Sequence, residues 1–213
     1  MGFRNGLCVA LLSGESEAGY RLVDPQRVEF APYKPFIKAV YVHDHEVIEA
    51  LDWLEGEMDA RFDNLERHGV RDIAAYNDAR PMDDRLPRIV LVVDELASLM
   101  LGPSKARIEL PLTRLAQMSR AVGIHLVLAT QRPPVDVVTG LLKANIPGRV
   151  SFSVITQIDS RVILDEPGAE ELVGKGDMLA RIPGTRGLHR LPGASPSTED
   201  GERVVNEHTE AAP

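Results

Sequence analysis

Apolar residues along this chain fall into two kinds of run. Short continuous runs rich in β-branched residues predict strands buried on both faces, at Ile89 to Val93 and at Ile124 to Ala129. Tyr20 to Val23 predicts a shorter strand ending at Asp24-Pro25. Arg149 to Val154, which alternates apolar and polar residues, and Asp177 to Ile182 predict two more. Between these runs the period lengthens. Val47, Leu51, Leu54, Met58, Phe62 and Leu65 lie three or four residues apart, which lines one face of a helix; Asp44 is placed to cap it and Gly69 to stop it. Ile108 to Val122 predicts a second helix, closed by Gly123 and starting near Pro111, because proline is tolerated in a first turn and not deeper. Asp159 or Ser160 is placed to cap a third. Met1 to Leu12 reads as the body of a helix whose beginning lies upstream, and Tyr76-Asn77 through Leu86-Pro87 as a polar loop. Val135 to Leu142 reads as a helix or turn, and together the segments make an α/β body.

Two strand ends carry the candidate chemistry. The run Ile89 to Val93 stops abruptly in Asp94-Glu95, and the next run stops in Thr130-Gln131-Arg132-Pro133. Ligands of open α/β sheets sit beyond the carboxyl ends of the strands. In nucleotide hydrolases an aspartate so placed holds the Mg²⁺ shell and a following glutamate polarises a water. Taken alone, the acidic pair is equally a strand leaving to solvent; two strands ending in polar residues at one edge favour a site.

The blocks VVDELASLM, RLAQMSRAVGIHLVLATQRP, VDVVTGLLKANIPGRVSFSV and DSRVILDEPGAEELVGKGDML resemble the motor domain of the FtsK/SpoIIIE DNA translocases. The similarity is long, ordered and gap-poor from Ile89 to Leu179, and weaker upstream. It implies a RecA-like P-loop ATPase core, with a mostly parallel sheet and helices on both faces, that uses ATP and Mg²⁺. It further implies ATP-driven movement of double-stranded DNA through a homo-oligomeric, hexameric ring in the cytoplasm, as in chromosome segregation at cell division. Family members are often anchored to the inner membrane by a region absent here. By this resemblance Asp94 organises Mg²⁺ through water, Glu95 activates the attacking water, and Thr130 and Gln131 sense the γ-phosphate. Arg120, preferred over Arg149 and Arg161, acts on the neighbouring subunit's nucleotide, although an arginine at a helix C-terminus also complements the helix dipole. Lys105 and Arg107 are either DNA-phosphate contacts on a loop facing the channel or a solvated helix start.

Departures from the family pattern bear on activity. A phosphate loop reads GxxxxGKS/T, and no such run occurs in the sequence. Aligned with the family's post-loop helix, Phe3 stands where the lysine belongs and Arg4 where the hydroxyl belongs. Gln26 replaces the lysine of an Asp-Pro-Lys strand end. The expectation is a core lacking its first strand and phosphate loop, so that the isolated chain binds ATP poorly. Alternatives are a catalytically silent subunit or truncated interaction module that joins complete motor subunits, and a related conjugation or secretion ATPase.

Composition sets bounds. A net charge of -8 argues against a protein that coats nucleic acid over its whole surface, while leaving room for a local basic lining. Cys8 is the single cysteine, so no internal disulfide forms. No apolar run is long enough to cross a bilayer. His43 and His45 lack the companions of a metal site. Three aromatics, Phe30, Tyr33 and Phe36, suit loop packing better than base stacking. Residues 1–191 read as the partial motor domain. Residues 192–213 read as an acidic, largely mobile tail with a short helix at 199–208 capped by Thr198.

Overall fold

The computed structural model describes residues 18–25, 37–131, 133–193, 197, 199–200, 202–203 and 206. The Met1 to Leu12 segment with Phe3, Arg4 and Cys8, and also Gln26, Phe30, Tyr33, Phe36, Arg132 and Thr198, lie outside them. The described residues divide into two compact units, one up to Gln131 and one from residue 133 onward.

In the first unit, strands β1 (Gly19–Val23), β2 (Ile37–Tyr41), β3 (Ile89–Val93) and β4 (Ile124–Leu128) form a parallel sheet in the order β2-β1-β3-β4. β3 is central, and all five of its residues are buried, as its unbroken apolar run requires. Its register is continuous on both sides, Val93 pairing with Val23 of β1 and with Leu128 of β4. β2, not foreseen as a strand, alternates half-buried and exposed residues as an edge strand does.

Helix α1 (Asp44–Arg67) buries Val47, Ile48, Leu51, Leu54, Met58 and Leu65. Its stripe passes through Arg61, which is buried, whereas Phe62 is only half-buried. The cap is His43 rather than Asp44. The Glu46 carboxylate, three residues on, accepts the His43 amide at 2.9 Å, and Asp44 falls in the first turn, where the helix dipole favours a carboxylate. Gly69 closes the helix at φ +64°. The expected loop around Tyr76-Asn77 instead holds helix α2 (Ile73–Asp78), because Asp72 caps it by accepting the Ala75 amide at 2.9 Å and Ile73 and Tyr76 are buried one turn apart. Only the later part is loop, fastened where Asn77 exchanges two hydrogen bonds with the Leu86 backbone.

Helix α3 (Leu96–Met100) follows β3, and α4 (Lys105–Met118) packs against α1. Pro111 does not start α4 but stands inside it. One backbone hydrogen bond is lost there, and the helix is held instead by burial of Ile108, Leu112 and Leu115 and by Arg114, which pairs with Glu55 and Asp59 of α1. A 3₁₀ turn, Ser119–Val122, leads to Gly123 at φ +74°.

The second unit carries an antiparallel sheet, β5 (Arg149–Phe152), β6 (Asp177–Arg181) and β7 (His189–Pro192), in that order. β7 has no apolar run to announce it; it exists by pairing with β6. Helix α5 (Gly140–Asn145) is capped by Thr139. Helix α6 (Gln157–Leu164) is capped by Thr156, not by Asp159 or Ser160: Thr156 and Asp159 exchange backbone-to-side-chain bonds, each 3.2 Å long, in a capping box. Ser160 is buried instead, donating to the Glu166 carbonyl and accepting the Ala169 amide. Leu164, Ala169 and Leu172 form a small core with Val154, Ile163, Leu179 and Leu188 around it. In the tail, Glu199, Asp200, Glu202, Arg203 and Asn206 are helical, and the Ser197 hydroxyl accepts the Asp200 amide.

Candidate functional site

Parallel strands bring their carboxyl ends to one edge, and there Asp24, Asp94 and Glu95 fall. Backbone bonds continue the ladder one residue past the strands: Asp24 N–H donates to Tyr41 O at 2.9 Å, Asp94 N–H to Val23 O at 3.1 Å, and Ala129 N–H to Val93 O at 2.8 Å. The four strand ends are thereby fixed relative to one another. Asp24 and Asp94, on neighbouring exits, are 4% and 3% exposed, so two carboxylates are buried at this edge.

Glu95 is half-buried and is the cap of α3, which sets its carboxylate over the helix's first amides. Its Oε1 accepts the Ala97 amide at 3.3 Å and the Thr130 hydroxyl at 2.6 Å, while its Oε2 accepts the Gln131 amide at 3.2 Å. Leu96 N–H donates to Ala129 O at 2.7 Å, tying the two exits through the backbone as well. The structure therefore brings Asp94, Glu95, Thr130 and Gln131 together. Gln131 is attached to Glu95 by its main chain, and the residue is exposed.

Arg120 lies elsewhere. It is exposed on the 3₁₀ turn before β4, at the amino edge of the sheet, with the strand between it and Glu95. A strand of this length spans roughly 16 Å. Lys105 and Arg107 stand in the first turn of α4, not in a loop; Arg107 is exposed and Lys105 half-buried. In the second unit Arg149 is committed to the end of α6, donating to Ile163 O at 3.1 Å and pairing with Asp165 at 2.7 Å. Arg161 is exposed on α6.

Two residues of interest escaped sequence reasoning. Asp24 was visible as the Asp-Pro at a strand end, but nothing in the linear sequence placed it beside Asp94. Arg61 occupies an apolar-stripe position of α1, and a charged residue on that stripe was the signal.

A buried carboxylate at a sheet edge suits the water shell of a divalent cation, and Asp94 meets that description. Among the described residues no group of three or more His, Cys, Asp or Glu converges as a closed metal site. None of the described helices is long and apolar enough to cross a membrane.

A model of the FtsK/SpoIIIE family matches residues 20–135. The DNA translocase FtsK of Caldanaerobacter subterraneus subsp. tengcongensis is 48% identical over 207 residues, covering 95% of this chain and 29% of that protein. The DNA translocase SftA of Bacillus subtilis is 44% identical over 211 residues, covering 95% of this chain and 22% of that protein. The chain thus spans less than a third of the length of these relatives. Among solved structures, the pCW3 conjugation coupling protein TcpA, in monomer form with ATPγS, superposes with a TM-score of 0.83 at 26% identity, over 98% of this chain and 62% of that one. The cytoplasmic domain of the type VII secretion ATPase EccC of Thermomonospora curvata gives 0.81 at 23% identity, over 100% and 26%. The fold is that of a RecA-like P-loop ATPase domain.

Proposed function

The chain belongs to the FtsK/SpoIIIE family, and from that premise we propose that it forms part of an ATP-driven motor that moves double-stranded DNA through a cytoplasmic ring of subunits, in the service of chromosome partition at cell division. The observation that carries the reading is the fixed Glu95 carboxylate beside buried Asp94 at the carboxyl edge of a parallel sheet. ATP with Mg²⁺, when bound, supplies the phosphoanhydride whose cleavage drives movement. Asp94 holds the metal's water shell. Glu95 orients and deprotonates the attacking water, and Thr130 fixes the rotamer from which it does so. Thr130 and Gln131, on the exit beside Glu95, report the γ-phosphate to that carboxylate. Arg120, on the far edge of the sheet, serves the nucleotide of the adjacent subunit. Lys105 and Arg107 offer charge to DNA phosphates, independent of sequence.

The cradle for the phosphates is the part these residues do not supply, since no GxxxxGKS/T run is present in the sequence. Titration of the purified chain with ATP and Mg²⁺ tests this directly. Weak, non-saturating binding is expected. Micromolar binding abolished by Asp94→Ala would contradict it and point to a different phosphate cradle.

A second reading takes its support from the exposure of Arg120 at the sheet edge away from Glu95: the chain is a silent subunit that lends Arg120 to complete motors in a mixed ring. Its signature is a motor whose turnover falls on Arg120→Ala in this chain and is indifferent to Glu95→Gln. The likeness to a conjugation coupling protein supports a third, in which the transported molecule is conjugating DNA. Fold alone does not choose the cargo.

A further inference from the structure

Arg61 is a cation at 4% exposure in the middle of α1, where an apolar residue would fill the stripe. Burial of a guanidinium is costly unless every part of it is engaged. Its Nε pairs with Glu57 one turn earlier at 2.7 Å, and its Nη1 donates to Val122 O at 2.9 Å, across 61 positions of sequence. Val122 is the last residue of the 3₁₀ turn that carries Arg120. The geometry points to Arg61 as the residue that positions Arg120, holding the turn from which that exposed side chain reaches out.

Three further contacts show that the turn is a built platform. The Ser119 hydroxyl, buried, donates to Ile124 O at 2.8 Å, bridging the turn from its first residue to the strand beyond it. Gly123 adopts φ +74°, and a Cβ there would lie 2.7 Å from Ile73 Cδ1, so the chain turns against packed side chains of α2. Ile89 N–H donates to Gly123 O at 2.9 Å, tying the exit of the turn to the start of β3. Of the four anchors, only Arg61 grips the turn itself from another helix. It does so at the carbonyl end of the α4–3₁₀ run, where the helix dipole is negative and a cation is favoured. A long exposed side chain delivers charge accurately only from a backbone held to a fraction of an ångström.

This inference rests on the reading of Arg120 as the residue serving a neighbouring nucleotide, and the test separates the two. Turnover and KM for ATP are measured on the assembled, DNA-loaded motor containing the substituted chain. Arg120→Ala is expected to lower kcat by roughly 10³-fold. Arg61→Met, which keeps the volume and removes the fork, is expected to lower kcat by about ten- to a hundredfold with KM unchanged, the cost of a displacement near 1 Å. Because both act through one group, Arg61→Met with Arg120→Ala is expected to be no slower than Arg120→Ala alone. If Arg61→Met does not fold, Arg61→Lys decides: its single ammonium keeps the pairing with Glu57 and gives up Val122 O. Hydrogen exchange of the Lys variant is expected to quicken at Gly123 and Ile124 while β3 stays protected. No effect of Arg120→Ala would sink the role of Arg120, and positioning with it. A slow Arg120→Ala motor alongside full-speed Arg61 variants, losses that multiply in the double variant, or exchange that quickens throughout the unit would overturn the Arg61 assignment while leaving Arg120 in place.

Discussion

The Glu95 carboxylate meets three donors from two different chain segments, and that convergence is the most informative contact in the molecule. Its Thr130 bond is the shortest, at 2.6 Å, and is charge-assisted. Thr130→Val keeps the shape and removes that donor. With Ala97 and Gln131 still in place, the expected loss is on the order of tenfold in kcat with KM unchanged, measured by steady-state ATP hydrolysis of the assembled motor. A change confined to KM would mean that Thr130 binds nucleotide and does not orient Glu95. In the second unit, Asp165 is held below the usual aspartate range, first by the Lys143 ammonium that hydrogen-bonds it at 2.7 Å and then by Arg149. A carboxyl with a depressed folded-state pKa stabilises the fold above its unfolded value and loses that contribution as pH falls through the folded one. The unit is therefore expected to weaken below about pH 4, and Lys143→Met to flatten that acid limb, as read by urea melts at several pH values. The acids were legible because each is local, a carboxylate at the end of an apolar run. Thr130 and Gln131 were legible as the polar end of the next strand, but the bonds themselves were not, since that from Thr130 to Glu95 spans 35 positions and the separate one from Arg61 to Val122 spans 61.

At the scale of elements, the apolar period located β1, β3, β4, α1, β5 and β6, and failed where another force sets the boundary. α4 begins before Pro111 because its apolar stripe and its ion pairs to α1 outweigh one missing backbone bond. Pro111→Ala restores a donor and is expected to stabilise the chain by about 1–3 kcal/mol, raising Tm by several degrees in a thermal melt. An unchanged or lower Tm would mean that the proline bend itself is needed for packing on α1. Gly123→Ala should do the opposite and lower stability by about 1–3 kcal/mol, because φ +74° is disfavoured with a Cβ and Ile73 stands in the way. Capping was the other blind spot. His43 and Thr156 cap their helices because Glu46 and Asp159, three residues on, complete the bonding, and a rule that looks for one acid or hydroxyl at the start picks the wrong residue. β7 was invisible because its exposed residues pattern like a loop and its strand character comes wholly from β6.

For the whole molecule, the carboxyl-edge site was legible from two apolar runs that each end in polar residues, whereas the sheet order was within reach of the sequence only through the resemblance. Apolar runs do not state which strand neighbours which, whereas ordered motifs do. The same holds for DNA. A net charge of -8 leaves any DNA contact to local cations, and Lys105 and Arg107 in the first turn of α4 are the proposed pair. Replacing both with alanine is expected to weaken binding equally for unrelated duplex sequences and to reduce the slope of log K against log salt by about two, by fluorescence anisotropy. An unchanged slope would move the DNA path to another surface. The most direct test of the account is ATP hydrolysis by the assembled motor in which this chain is joined to a phosphate-loop segment, with and without double-stranded DNA, comparing parent and Glu95→Gln. Hydrolysis stimulated by DNA, and lowered by roughly 10²- to 10⁴-fold in Glu95→Gln while ATP binding persists, is the predicted result. Turnover that ignores DNA and is unaltered by Glu95→Gln would contradict the placement of the reaction at the Asp94–Glu95 edge.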